Sequence, residues 1–115
     1  MKPNAELAYR VLDHIDADPE SWNQMHWWCG TSGCFAGWAC KLAGDDPRKR
    51  IIDGLHIADR ATRHLGFPDE PSMNHAAAVK IRPGAPWGLF DADNSRADLG
   101  RIVEALFGTR PEQAS

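Results

Sequence analysis

The chain has 115 residues, 43% of them hydrophobic, which is enough for one modest core and leaves no room for a second domain. Its formal net charge of −3 and its pI near 5.9 exclude the global cationic field on which binding to a phosphate backbone depends. Generic DNA or RNA binding is therefore not expected.

The first predicted element is an amphipathic helix over residues 4–17. Asn4 is placed to act as its N-cap, and Glu6 lies in the first turn, where negative charge is favourable. The apolar side chains recur at positions i, i+3, i+4 and i+7, which places them on one face of a helix. These side chains are Ala8, Val11, Leu12 and Ile15.

Two shorter elements follow the first helix. Pro19 predicts a brief turn of helix, because proline is favoured at the first helical position. Residues 33–42 are apolar and rich in small side chains, which predicts a short buried helix capped by Thr31 or Ser32. Gly37 within this helix would let a neighbouring backbone come close.

A long apolar stripe occupies the middle of the chain. Pro47 predicts the first turn of a helix whose apolar positions continue to Leu65, and Gly54 is a point at which this helix would divide into two. Residues 67–86 contain four prolines and a brief helix candidate at residues 74–79, so little regular structure is expected there.

The last predicted helix begins after Ser95. The run from Ser95 to Asp98 resembles a capping box, in which the cap side chain and the side chain three residues later bond to each other's backbone. Apolar residues then follow at helical spacing up to Gly108. They are Leu99, Ile102, Val103, Leu106 and Phe107.

These elements together predict an all-α fold. No stretch alternates apolar and polar residues with period two, as a half-buried strand would. We expect a compact single domain of four to five short helices with a Trp-rich core, packed around the helix at residues 33–42. This domain covers residues 1–108, and residues 109–115 form a polar tail that is expected to fray.

The cysteine count and the lack of targeting signals indicate the compartment. Three cysteines leave at least one thiol unpaired in a monomer, which fits a reducing environment. The N-terminal residues lack the pattern of a signal peptide, and no apolar run approaches the roughly 20 residues that span a bilayer. We therefore expect a cytoplasmic protein that makes no contact with a membrane.

The most unusual stretch of the chain is residues 29–40, C-G-T-S-G-C-F-A-G-W-A-C, which contains every cysteine. With the histidine upstream, the cysteines form the pattern H-x2-C-x4-C-x5-C, and these residue types are zinc ligands. The spacing is unfavourable, because two cysteines six residues apart on one helix point about 240° apart. A zinc site remains an alternative interpretation, and its ligands would be His26, Cys29, Cys34 and Cys40.

Cys34 is also an alternative catalytic residue, as the nucleophile of a thiol hydrolase. It lies at the predicted start of a helix, where free backbone N–H groups and the helix dipole lower the pKa of a thiol. A nucleophilic cysteine needs a base, and the sequence places no histidine beside it. The favoured interpretation is structural: the cysteines are small buried side chains, the glycines permit close packing, and no cofactor is expected.

Three blocks of sequence carry a resemblance to known proteins. They are C-G-T-S-G-C-F-A-G-W-A at residues 29–39, W-N-Q at residues 22–24 and L-F-D-A-D-N-S-R-A-D-L at residues 89–99. In this order they resemble small proteins of unassigned function from actinobacteriophages, including mycobacteriophages, and from related actinobacterial genomes. The block C-G-T-x-x-C-x-A-G-W-A is the specific part. The resemblance implies phage origin and compactness, and it implies no reaction or cofactor.

The sequence therefore predicts a small, non-enzymatic accessory protein of phage type that acts in the host cytoplasm by binding a host or phage protein. An acidic, tryptophan-rich chain suits a protein partner better than a nucleic acid. Trp27 and Trp28 are the candidate interface residues. Adjacent side chains do not point in one direction in regular structure, and tryptophan is enriched among the residues that dominate binding energy.

Overall fold

A computed structural model of the protein describes residues 4–66 and 88–110. Within these ranges the fold has four α-helices and two small β-hairpins, so it is mostly helical but not purely all-α as predicted. The elements are α1 (Ala5–Ala17), β1 (Trp28–Cys29), β2 (Ser32–Gly33), α2 (Phe35–Leu42), β3 (Ile51–Ile52), β4 (Leu55–His56), α3 (Ile57–His64) and α4 (Arg96–Phe107). Short 3-10 helices lie at Pro19–Ser21 and Gly88–Phe90.

Three predictions about the chain fall wholly or mainly on residues that are not described. The scarcity of regular structure expected over residues 67–86 and the helix candidate at residues 74–79 lie outside the described residues. So does most of the C-terminal tail predicted at residues 109–115. In the part of the chain that the structure does describe, no helix is long and apolar enough to cross a membrane.

The two helices with the clearest sequence signals, α1 and α4, are confirmed. The Asn4 side chain accepts a hydrogen bond from the backbone N–H of Leu7 at 3.1 Å, so it caps α1 as predicted. At α4, Ser95 and Asp98 form the predicted capping box, with reciprocal bonds of 3.1 and 3.0 Å. The predicted apolar faces of both helices lie in the core, and the two helices pack against each other.

The predicted helix beginning at Pro47 is wrong in its first half, because a β-hairpin precedes α3. Strands β3 and β4 pair antiparallel, with Ile51 opposite His56. The two turn residues, Asp53 and Gly54, have φ angles of 52° and 79°, and positive φ at both positions is what a type I′ turn requires. Asp-Gly is the strongest short-range hairpin signal, and the helical interpretation of this segment overlooked it.

A second hairpin precedes α2. Strands β1 and β2 pair with Trp28 opposite Gly33, and Gly30 adopts a positive φ of 64° in the turn. The predicted helix at residues 33–42 is confirmed from Phe35 onward, but its N-cap residue is Cys34 rather than Thr31 or Ser32. The chain therefore contains two consecutive hairpin–helix units.

Helix α2 is the centre of the fold, as predicted. It packs against α1, against α3 and against the 3-10 helix Gly88–Phe90. Trp38 lies in the core, while Trp22, Trp27 and Trp28 are partly buried against it, so the core is rich in tryptophan as expected. Aromatic side chains fill much of the volume around the small residues of this helix.

Two glycines let the hairpin lie directly against α2. A Cβ atom at Gly37 would collide with the backbone carbonyl oxygen of Trp27. A Cβ at Gly33 would lie 2.5 Å from the Trp28 ring and 2.7 Å from the same carbonyl. Since real Cβ atoms essentially never approach other atoms so closely, both positions require glycine.

A buried arginine holds the loop between α2 and the second hairpin. The Arg60 side chain is only 7% exposed, and its Nε donates to Asp45 Oδ2 at 2.9 Å. Its terminal nitrogens donate to four backbone carbonyl oxygens at 2.7 to 3.3 Å, those of Asp46, Lys49, Arg50 and Leu55. One side chain thus satisfies carbonyl groups of a loop that has little regular structure of its own.

We expect Gly37→Ala to destabilise the protein, although alanine is the better helix former by about 1 kcal/mol. The added methyl group meets the rigid Trp27 backbone, so the free energy of unfolding should fall by about 1–3 kcal/mol. Gly100→Ala in α4 is the matched control, because its Cβ would meet only the flexible tip of Arg96 at 2.9 Å. Denaturant unfolding should show the control unchanged or stabilised, and equal destabilisation of both variants would contradict the close approach.

We also expect Arg60→Met to lower the free energy of unfolding by about 3–5 kcal/mol. It removes the arginine partner of the largely buried Asp45 carboxylate, and it removes the donor to four loop carbonyl groups. Arg48→Met is the control. Arg48 also pairs with an aspartate, Asp46, but its side chain is 77% exposed, so its loss should leave the denaturant midpoint unchanged. Similar midpoints for the two variants would show that Arg60 does not organise the loop.

Candidate functional site

The segment that enters the first hairpin is anchored by a buried glutamine. Gln24 is 7% exposed, and its amide uses its full hydrogen-bonding capacity. Oε1 accepts from Trp22 Nε1 at 2.9 Å and from the backbone N–H of Phe35 at 3.1 Å. Nε2 donates to the carbonyl oxygens of Leu89 at 3.3 Å and Asp91 at 3.0 Å. This one side chain joins the hairpin, the first turn of α2 and the segment before α4.

The side chain of the next residue, Met25, is exposed to solvent, in contrast to that of Gln24. Its backbone N–H donates to Asn23 Oδ1 at 3.0 Å, and the N–H of His26 donates to the Asn23 carbonyl at 3.3 Å. This tight turn leaves Met25 76% exposed, the larger of the two values among large hydrophobic side chains exposed in the described ranges. Met25 is therefore exposed on a turn that is fixed to the core through the adjacent residue, Gln24.

A pocket of about 220 Å³ opens beside Met25, and we call it the Met25 pocket. Its lining includes His26, Trp27, Cys34 and Phe90, and none of the described residues that line it is Asp, Glu, Lys or Arg. The aromatic wall is ordered by edge contacts, with the ring of Trp27 6.3 Å from that of Phe90. The pocket is thus mainly apolar, rich in aromatic side chains and open to solvent.

The two predicted interface residues, Trp27 and Trp28, are both half-buried. Trp27 meets the His56 ring edge-on, with the centroids 5.1 Å apart, so it touches both the Met25 pocket and the second hairpin. Trp28 lies edge-on against Trp38 at 4.9 Å, and its buried Nε1 has no hydrogen-bond partner among the described residues. Both rings therefore contribute to the fold as well as to the surface.

Cys34, the alternative catalytic residue, is buried at the start of α2. The N–H groups of Ala36 and Gly37 act to lower the pKa of its thiol, as its helix-terminal position predicts. Burial is the larger effect and raises that pKa to about 11. The thiol donates to the Trp27 carbonyl oxygen at 3.9 Å, and that partner is not a base. These are properties of a protonated, structural thiol.

The predicted zinc ligands are not gathered in one place. Cys29 is exposed, whereas Cys34 and Cys40 are buried, and all three cysteines are free thiols. The structure instead brings Cys40 together with two residues outside the predicted ligand set, Asp45 and His64. Within residues 4–66 and 88–110, these three form the one group of metal-ligating side chains whose ligand atoms all lie within 4.8 Å of one another.

This cluster of Cys40, Asp45 and His64 is organised around one carboxylate oxygen. Asp45 Oδ2 accepts from Arg60 Nε at 2.9 Å and lies 2.9 Å from His64 Nε2. Burial disfavours the ionised carboxylate, but the bonds from His64 and Arg60 outweigh burial and lower the pKa of Asp45 to about 2. Burial, with the nearby Asp45 charge, raises the pKa of the Cys40 thiol to about 12, and its Sγ lies 3.6 Å from the Ile57 carbonyl.

Comparison with known proteins yields no relative: no family model matches the chain, and no curated protein or solved structure matches it significantly. The function must therefore be inferred from the residues and their geometry.

The burial of the cysteines predicts how they react. In the native, reduced protein, a thiol reagent should modify one equivalent rapidly, at exposed Cys29, and should modify Cys34 and Cys40 only on the timescale of unfolding. A Cys29→Ser variant should lose the rapid phase, and denaturant should restore two equivalents. Rapid native modification of Cys34, mapped by mass spectrometry, would instead support the thiol hydrolase alternative.

Proposed function

We propose that this chain is a non-enzymatic accessory protein of phage type that binds a host or phage protein in the host cytoplasm, using Met25 and the Met25 pocket. The observation that carries the proposal is the 76% exposure of Met25 beside an aromatic pocket. Methionine and aromatic side chains are enriched in the centres of protein interfaces, and charged residues are depleted there. The described lining of this pocket has that composition.

The size of the pocket supports a side chain of a partner protein as its occupant. Small-molecule sites typically enclose about 300–1,000 Å³, and the Met25 pocket has about 220 Å³. A single large apolar side chain, such as leucine, phenylalanine or methionine, suits this volume. Met25 would then cover the inserted side chain from the rim.

Preorganisation supports the same proposal. The turn that presents Met25 is held by the Asn23 side chain and by the buried Gln24 side chain. A surface that is already ordered loses little conformational entropy when a partner binds. The exposed side chain is thus placed at a rigid edge of the core.

The thiol hydrolase alternative has no comparable support. The Cys34 thiol is buried, its pKa is raised to about 11, and it bonds to a backbone carbonyl. A nucleophilic cysteine requires an accessible thiol that a base or a lowered pKa activates.

The proposal is tested by capture with matched surface variants. Met25→Glu places a charge at the rim of the pocket, while Met25→Leu keeps an apolar side chain of similar size. Ile51→Glu is the control, because Ile51 is also an exposed hydrophobic residue, 56% exposed, but it lies in strand β3 and does not line the Met25 pocket. Proteins captured from host lysate by the wild type, Met25→Leu and Ile51→Glu, but not by Met25→Glu, are the candidate partners.

The captured protein is then purified and titrated against each variant. We expect Met25→Glu to weaken binding by about 30-fold or more, the loss typical of a dominant interface residue, with an unchanged melting temperature. Trp27→Ala should weaken binding and also lower the melting temperature, since Trp27 packs against the core. Equal affinity of the wild type and Met25→Glu, or loss of the partner only with Ile51→Glu, would contradict the proposed surface.

A further inference from the structure

We propose that Cys40, Asp45 and His64 bind one zinc ion, with water at the fourth position. The three side chains place a cysteine sulfur, a carboxylate oxygen and an imidazole nitrogen within 4.8 Å of one another. On binding the ion, the Cys40 thiol would release its proton to solvent and ligate as a thiolate. Ligand atoms of a tetrahedral zinc site lie about 3.3–3.5 Å apart, given the usual bond lengths. Small side-chain movements would therefore close the cluster around an ion.

The ligands project from elements that are packed together. Cys40 lies on α2, His64 is the last residue of α3, and Asp45 lies in the loop just after α2. Helices α2 and α3 pack extensively against each other, so their ligands are held at a fixed spacing. A bound ion would join both helices and the loop, and it would stabilise the second hairpin–helix unit against the first.

The donor set favours zinc over the hard cations. Thiolate and imidazole are ligands of zinc and related transition metals, whereas magnesium and calcium prefer sites built from oxygen atoms. The thiolate and the carboxylate together offset the two positive charges of the ion. Three protein ligands plus water is an arrangement that zinc adopts in proteins.

Arg60 orients the carboxylate in this site. Ligating carboxylates are themselves usually hydrogen-bonded, and Arg60 Nε bonds to Asp45 at 2.9 Å while backbone carbonyls fix the guanidinium. Its positive charge opposes the cation, so Arg60 limits affinity while it fixes geometry. The same contacts without a metal constitute a buried ion pair, which is the competing explanation of the cluster.

Two of the three residues of the cluster border surface grooves. The His64 side chain is 32% exposed and lines a surface groove of about 410 Å³ next to Asn4 and Arg10. Asp45 lines a separate groove of about 590 Å³ beside Trp38 and Lys41. His64 and Asp45 therefore border solvent on separate sides of the cluster, whereas Cys40 is fully buried and would close the inner side of the site.

The test uses the reduced, metal-stripped full chain. Zn²⁺ is titrated in competition with a chromophoric chelator, and Co²⁺ is used as a spectroscopic probe, since thiolate ligation produces a charge-transfer band in the near ultraviolet. We expect one equivalent of zinc, a thiolate–cobalt band and an increase in melting temperature with zinc concentration. Cys40→Ser should abolish the band, and His64→Gln should weaken zinc binding by at least about 100-fold.

Cys29→Ser and His26→Gln are the controls, because they alter the ligands of the alternative set without touching the cluster. Both should bind zinc as the wild type does. If Cys40→Ser fails to fold, His64→Gln decides, since its side chain is partly exposed and its folding is checked by circular dichroism. The proposal is overturned if the wild type binds no zinc, or if His64→Gln binds zinc as tightly as the wild type. Loss of binding in Cys29→Ser or His26→Gln would then point to the alternative ligand set.

Discussion

The close approach of the Trp27 carbonyl to Gly37 is the constraint on which the first half of the structure depends. A Cβ at that position has no space, and one at Gly33 would meet the Trp28 ring. Only with glycine at both positions can the β1–β2 hairpin lie flat on α2, which places Trp28 against Trp38. The glycines of the cysteine-rich segment therefore serve packing, and the burial of Cys34 follows from the same contact.

Two buried polar side chains complete this architecture by holding segments that have few backbone bonds of their own. Gln24 joins the first hairpin to α2 and to the segment before α4, and Arg60 binds the loop carbonyls around the second hairpin. Each is fully engaged, so each fixes one arrangement of its loop. These two side chains position the two proposed sites. Gln24 fixes the turn that exposes Met25, and Arg60 orients Asp45 in its cluster with Cys40 and His64.

Local signals were sufficient for the helices that have both a cap and an amphipathic face. In α1 and α4 the capping residues Asn4 and Ser95 and the apolar spacing indicate the same element, and both predictions are confirmed. The segment before α3 is different, because its isoleucines and leucine fit a helical stripe and a short strand pair equally well. Asp53-Gly54 resolves that ambiguity in favour of a hairpin, and the prediction of a helix overlooked it.

The sequence by itself determined the helical faces, the central position of α2, the need for a small residue at Gly37 and the presence of reactive residue types in one short segment. Only the tertiary structure decided which of those residues meet. Cys40 and His64 are distant in the chain, and they come together because α2 packs on α3. Burial likewise overrides the helix terminus at Cys34, and Met25 is exposed because its neighbour Gln24 is buried. Such contacts depend on the packing of whole elements, which no local pattern encodes.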